Sequence, residues 1–162
     1  MNRHQWRYLR QEAAIGAAIT AVLSLVFTLL MFGRTAQVPV FGANGLIVDA
    51  IPQNFFGALM CVLVPTALTR KRLRAGKIAP APTRLRLPRS LFARALLIAA
   101  IAAVAGALLV LALLAGGPSH WPFVPVLVAK IAYGALLGGI IGGLAVRTAL
   151  ADMPDPLGAS AR

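Results

Sequence analysis

Acidic residues are scarce in this sequence. Only four Asp and Glu stand against sixteen Lys and Arg, which leaves a formal charge of +12 on 162 residues. Charge of either sign is also rare, at 12% of the chain against 59% hydrophobic residues, roughly half the charged share of a soluble domain. A water-soluble fold cannot hide that much apolar surface, so the soluble class is excluded. One cysteine, Cys61, and two widely separated histidines, His4 and His120, exclude a disulfide framework, a thiol pair and a shared metal site. No metal and no cofactor is expected. Ser24, Ser90, Ser119 and Ser160 find no histidine and carboxylate to complete a nucleophilic triad, and no glycine-rich loop follows a strand. The chain is therefore not expected to be an enzyme. Its cations form short patches with no interleaved aromatic platform for bases, so no nucleic-acid partner is expected either.

What the chain has in abundance is long apolar runs. Residues 1–12 form a basic arm with Arg3, Arg7 and Arg10, and with Trp6 and Tyr8 suited to head-group level. A first span follows at 13–33. It is too long for a cleaved signal peptide, and Arg34 stands where a small residue would be needed. Pro39, Gly42, Asn44 and Gly45 break the connection to a second span at 49–69, whose first turn is expected to hold Asp49 and Pro52, with Pro65 near its far end. Residues 70–90 form a basic, proline-containing loop, in which the Pro80-Ala81-Pro82 spacer argues for extended chain. The third span is 91–115, and the fourth, 123–146, follows a tight turn that carries Trp121. Residues 148–162 are expected to be a disordered tail. Spans of roughly 20 to 24 residues cross ~30 Å of hydrocarbon as helices, because backbone groups find no water there. The fold class is thus all-α: a polytopic membrane protein of four transmembrane helices arranged as two helical hairpins.

The cations give an orientation. Three lie in the amino-terminal arm, nine between Arg70 and Arg94, and Arg147 and Arg162 follow the fourth span, whereas Arg34 alone lies in the opposite connections. The positive-inside rule then puts both termini and the central loop in the cytoplasm. Arg70, Lys71, Arg72 and Arg74 are expected to meet anionic lipid head groups at that face.

The fourth span carries Gly134, Gly138 and Gly142 four residues apart, a spacing that lets another backbone come close. A matching stripe in the second span holds Gly57, Cys61 and Pro65, with Cys61 as a small packing residue, and the two stripes are expected to pack together. Extended outward, the stripes reach Lys130 in one span and Gln53 and Asp49 in the other. Gln53 and Lys130 are each seventeen residues from the arginine that closes their helix, and Asp49 lies one turn, about 6 Å, farther out. Asn54 and Thr28 can share this layer. Two readings of it stand: a structural pair or a lysine stretching to the interface, and a site for a solute or ion. Glu12 is expected to form an interfacial ion pair near Arg10. An offset of 77 residues places Phe55–Met60 on Ala132–Leu137 and Arg70 on Arg147, which fits either a parallel repeat or two hairpins of similar composition.

The run Val48-Asp49-Ala50-Ile51-Pro52, followed by a span ending in Thr69-Arg70-Lys71-Arg72-Leu73-Arg74-Ala75-Gly76-Lys77, resembles uncharacterised small four-helix inner-membrane proteins of bacteria. The resemblance implies a bacterial-type plasma membrane and carries over no functional residue. Two functions remain open on the sequence. One is a non-catalytic membrane component acting through helix–helix association, with itself or with another membrane protein. The other is a small transporter or permease-like protein using the cluster of Asp49, Gln53, Asn54 and Lys130.

Overall fold

A computed structural model describes residues 3–80, 88 and 90–152 of the chain. Residues 81–87 and Arg89 of the basic loop, and the tail from Met153 onward with Arg162, lie outside the described residues. The chain forms α1 (Arg3–Phe32), β1 (Gln37–Pro39), α2 (Leu46–Arg74), α3 (Leu91–Leu114), β2 (His120–Pro122) and α4 (Phe123–Ala149). All four helices are long and apolar enough to cross a membrane. Three of them outrun the spans read from hydropathy, since a helix continues past the point where side chains turn polar. Pro52 accordingly lies inside α2, not in its first turn, and α2 also continues through Pro65.

Two short strands were read in the sequence only as turns. They pair antiparallel, Val38 opposite Trp121, and join the two outer connections. Beneath them Phe32, Val38, Val40, Leu46 and Val126 form a small core. This strand end is opposite the end that carries the basic segments.

The helices that follow one another in sequence are not the ones most closely packed. Contact is most extensive between α1 and α4 and between α2 and α3, with α2 against α4 in the middle. On α1 the buried residues after Gln5 are Tyr8, Glu12, Gly16, Thr20, Ser24, Thr28 and Phe32, each four from the next, a spacing that keeps them on one helix face. Most are small or polar, and the large aliphatics Val22, Leu29 and Leu30 point outward. In lipid the outside is the apolar solvent, so small side chains gain most by lying where backbones meet. The α4 glycine stripe lies against this ladder: a Cβ on Gly138 would strike the Thr20 hydroxyl and the Gly16 carbonyl, and one on Gly134 would strike Ser24. The stripe expected to pair with α2 thus packs on α1. Gly57 also faces α1, at Thr20, and the Cys61 thiol lies 3.6 Å from the Gly16 carbonyl oxygen. On α3, Ala95, Ile98, Ala99 and Ala102 pack toward α2, around Ala58 and Val62.

This is the contact pattern of a two-fold axis running between α2 and α4. Matching α1 with α3 and α2 with α4 turns the α1–α4 contact into the α3–α2 contact. The correspondence fails at one place. α1 touches α2, whereas α3 makes no comparable contact with α4.

At the basic end the fold is tied by charge. Arg94, 2% exposed, donates to Asp152 at 2.8 and 2.6 Å and to the Pro88 carbonyl at 3.1 Å, and Arg70 donates to the same Asp152 at 2.8 Å. Glu12 accepts from Arg72 at 3.2 Å, and Arg10 is not its partner. The tail therefore begins later than 148, because α4 runs to Ala149, Leu150 is fully buried and Asp152 joins two helices. Asp152→Asn should cost about 2 kcal/mol, since hydrogen bonds to charged groups contribute that much and Arg94 would stay buried. Reversible unfolding in mixed micelles would read the loss. An unchanged midpoint would mean that Asp152 ties nothing.

Candidate functional site

The polar layer foreseen around Asp49, Gln53, Asn54 and Lys130 is assembled toward the strand end, from all four helices. α2 presents Asp49, Gln53 and Asn54 on successive turns of its buried face, and each is at most 6% exposed. Lys130 of α4 forms an ion pair with Asp49 and also lies over the Phe32 ring, 5.4 Å from its centroid. Its side chain is 13% exposed, so the ammonium points to the carboxylate and not outward along the lipid. Gln53 donates to the Ser24 hydroxyl of α1 at 2.9 Å, and Thr28 donates to the Ser24 carbonyl at 2.6 Å.

Several acceptors are left over. Among the described residues Asp49 Oδ1, Gln53 Oε1 and Asn54 Oδ1 are buried without a hydrogen-bond partner, and the Asn54 amide has the Tyr133 hydroxyl as its side-chain hydrogen-bond partner. A buried polar group without a partner costs roughly 1 to 3 kcal/mol, and Asn54 carries that cost at Oδ1. Gly106 of α3 and the Tyr133 hydroxyl of α4 close around the same amide: a Cβ on Gly106 would strike Asn54 and approach the hydroxyl to 2.8 Å. Tyr133, Ser24 and Gly106 are members of the layer that sequence reading missed. An available signal was the four-residue ladder on α1, which puts Ser24 one turn from Thr28. Nothing in the apolar run of α3 singles out Gly106.

Four of these groups, Gln53, Asn54, Lys130 and Tyr133, lie at one end of a cavity of about 420 Å³. It occupies the place where α3 stands apart from α4, with α2 as its floor and Trp121 at its outer end. Its walls are apolar, from Leu109, Val110, Leu113 and Leu114 on one side to Pro125, Val126 and Ala129 on the other, while Gln53, Asn54, Lys130 and Tyr133 supply the polar end. The Trp121 indole N–H is also buried, with no hydrogen-bond partner among the described residues. A volume of this size suits a small organic molecule, and a mostly apolar wall with a few converging polar groups is the usual composition of such sites. Because Asp49 and Lys130 neutralise each other, this end of the cavity carries no net charge, and its polar atoms are almost wholly covered.

The remaining predicted residues are distributed as follows. Gly134, Gly138 and Gly142 lie at the α1–α4 interface and Gly57 at the α1–α2 interface, none of them in the cavity. Of the four cations expected at head groups, Arg70 and Arg72 are engaged by Asp152 and Glu12, whereas Lys71 and Arg74 are exposed. Among the described residues no three His, Cys, Asp or Glu side chains come together. The chain is an integral membrane protein with four spans. Compared with family models, curated proteins and solved structures, it gives no match.

Proposed function

We propose that the chain is a small permease-like protein, not an enzyme, that takes an uncharged amphipathic solute into the cleft between α3 and α4. The observation that carries this reading is Asn54. It is a buried amide that meets the Tyr133 hydroxyl but whose Oδ1 finds no partner among the described residues, at the inner end of a 420 Å³ apolar cavity. Such an arrangement costs stability and is repaid when a ligand brings the missing hydrogen bond. A permanent cation would have to displace Lys130 from Asp49, and an anion would have to displace Asp49 from Lys130. A hydroxyl, carbonyl or amide on an apolar body meets neither obstacle. The association reading drew on the glycine stripe of α4, and that stripe is taken up by α1 within one chain. The resemblance to small bacterial inner-membrane proteins supports a plasma membrane of bacterial type, and the cation distribution supports both termini and the basic loop in the cytoplasm.

The test is photolabelling of the reconstituted protein with a diazirine-bearing fatty alcohol. Label should concentrate on 109–114 and 125–129, and Asn54→Leu, which keeps the branched shape, should reduce it about tenfold, the equivalent of one lost hydrogen bond. The same substitution should raise stability by about 1 kcal/mol, since it removes an unpartnered buried acceptor. Label spread evenly over every lipid-facing helix, and indifferent to Asn54, would end the proposal.

A further inference from the structure

A second cleft, of about 470 Å³, lies at the basic end, far from the polar layer. It is built by a turn. Ala75 closes α2, Gly76 takes φ 67°, and the Gly76 and Lys77 amides bond back to the Leu73 and Arg72 carbonyls at 3.0 Å each. This is the Schellman arrangement, and a left-handed residue at that position favours glycine. The turn folds residues 77–79 back along α1. There Ile78 packs on the cluster of Tyr8, Leu73, Val146 and Leu150, and the Gln5 amide donates to the Ala79 carbonyl at 3.1 Å.

One wall of the cleft is therefore the first two turns of α1, with His4, Arg7 and Gln11. The other is the end of α2 and the returning segment, with Arg72 and Lys77. No acid lines it. Glu12, beside it, is taken by a single nitrogen of Arg72, whose guanidinium also lies 4.9 Å from the Tyr8 ring centroid. Arginine has five N–H donors in a planar fork, so Arg72 can turn others toward the cleft. Arg7 and Lys77 are exposed, and no carboxylate is seen on either among the described residues. Three cations and an imidazole thus converge on one concave space, and among the described residues only Arg72 has a carboxylate partner, Glu12. Trp6, 47% exposed on the neighbouring face of α1, is suited to head-group level.

From this geometry we infer that the cleft binds a phosphate-bearing anion, held by Arg7, Arg72 and Lys77. Planar guanidinium groups match phosphate oxygens in pairs, and lysine adds a point charge. Basic pockets at the ends of spanning helices meet such groups on lipids. Free phosphate offers the same oxygens, so the experiment carries an arm for each source.

The full chain in detergent is titrated with dioctanoyl phosphatidylglycerol, with inorganic phosphate, and with dioctanoylglycerol as the phosphate-free lipid, reading thermal stability at constant ionic strength. Saturable stabilisation is expected from at least one phosphate compound and not from dioctanoylglycerol. Stabilisation by the phospholipid alone assigns the site to a head group; stabilisation by both assigns it to phosphate however carried. Arg7→Gln with Lys77→Gln should weaken the effect about tenfold or more, as the loss of charge-assisted hydrogen bonds requires. Arg3→Gln with Arg10→Gln removes the same charge outside the cleft and should leave it nearly unchanged. Lys77→Gln alone, at an exposed position, serves if the double variant does not fold. Equal weakening in the control pair, or no saturable stabilisation by either phosphate compound, overturns the inference.

Discussion

Gly138→Ala should destabilise the protein by about 2 kcal/mol or more, whereas Gly139→Ala, one residue on, should be neutral or slightly stabilising. At Gly138 a methyl group would collide with the Thr20 hydroxyl and with the backbone of Gly16, and Gly16 in turn faces the Gly138 carbonyl. Backbone cannot rotate aside, so α1 and α4 would have to separate along the ladder that joins them. At Gly139 the same methyl would lie 3.8 Å from Ala13 and Ala17, an ordinary contact, while alanine gains up to ~1 kcal/mol of helix propensity over glycine. The pair of substitutions shares composition, helix and depth and differs only in the face presented. Unfolding in mixed micelles decides it. Equal effects at both positions would remove the α1–α4 interface as the basis of the fold.

Lys130→Met is expected to cost about 3 to 5 kcal/mol, the range for removing one partner of a buried ion pair. Asp49 would be left with its side chain 1% exposed and with Oδ1 already unpartnered. The cost comes mainly from the stranded carboxylate, so Asp49→Asn in the same chain should restore most of it. A double-mutant cycle reads the coupling directly. Strictly additive losses would show that the two groups do not depend on each other. A strong coupling also bears on the cleft, because the Asp49–Lys130 pair is what keeps its polar end free of net charge.

Much of the polar layer was legible from arithmetic along the chain. Gln53 and Lys130 lie equally far from the arginines that end their helices, and Asp49 is one turn from Gln53, so the pairing follows from helical rise once the spans are placed. The role of Tyr133 and Gly106 was not legible, because each is an unremarkable member of an apolar run until a neighbouring helix brings Asn54 to it. The glycine stripe shows the same limit from the other side. Its spacing announces a close backbone contact but does not name the partner. Second and fourth spans looked alike, and the actual partner was the first, whose small and polar residues recur every four positions inside an otherwise greasy helix.

Hydropathy and the placing of cations along 162 residues were enough for the all-α class, the number of spans and their approximate limits. The reason is that a bilayer acts on each segment separately: twenty apolar residues must be helical there whatever the rest of the chain does. Which helices touch is a different kind of question. It depends on how faces of similar composition fit together, and the differences among the possible pairings are steric and reside in single glycines. Only the tertiary structure set α1 against α4 and α2 against α3, held α3 away from α4, and so opened a cavity onto an amide that the sequence could place in depth but not in company.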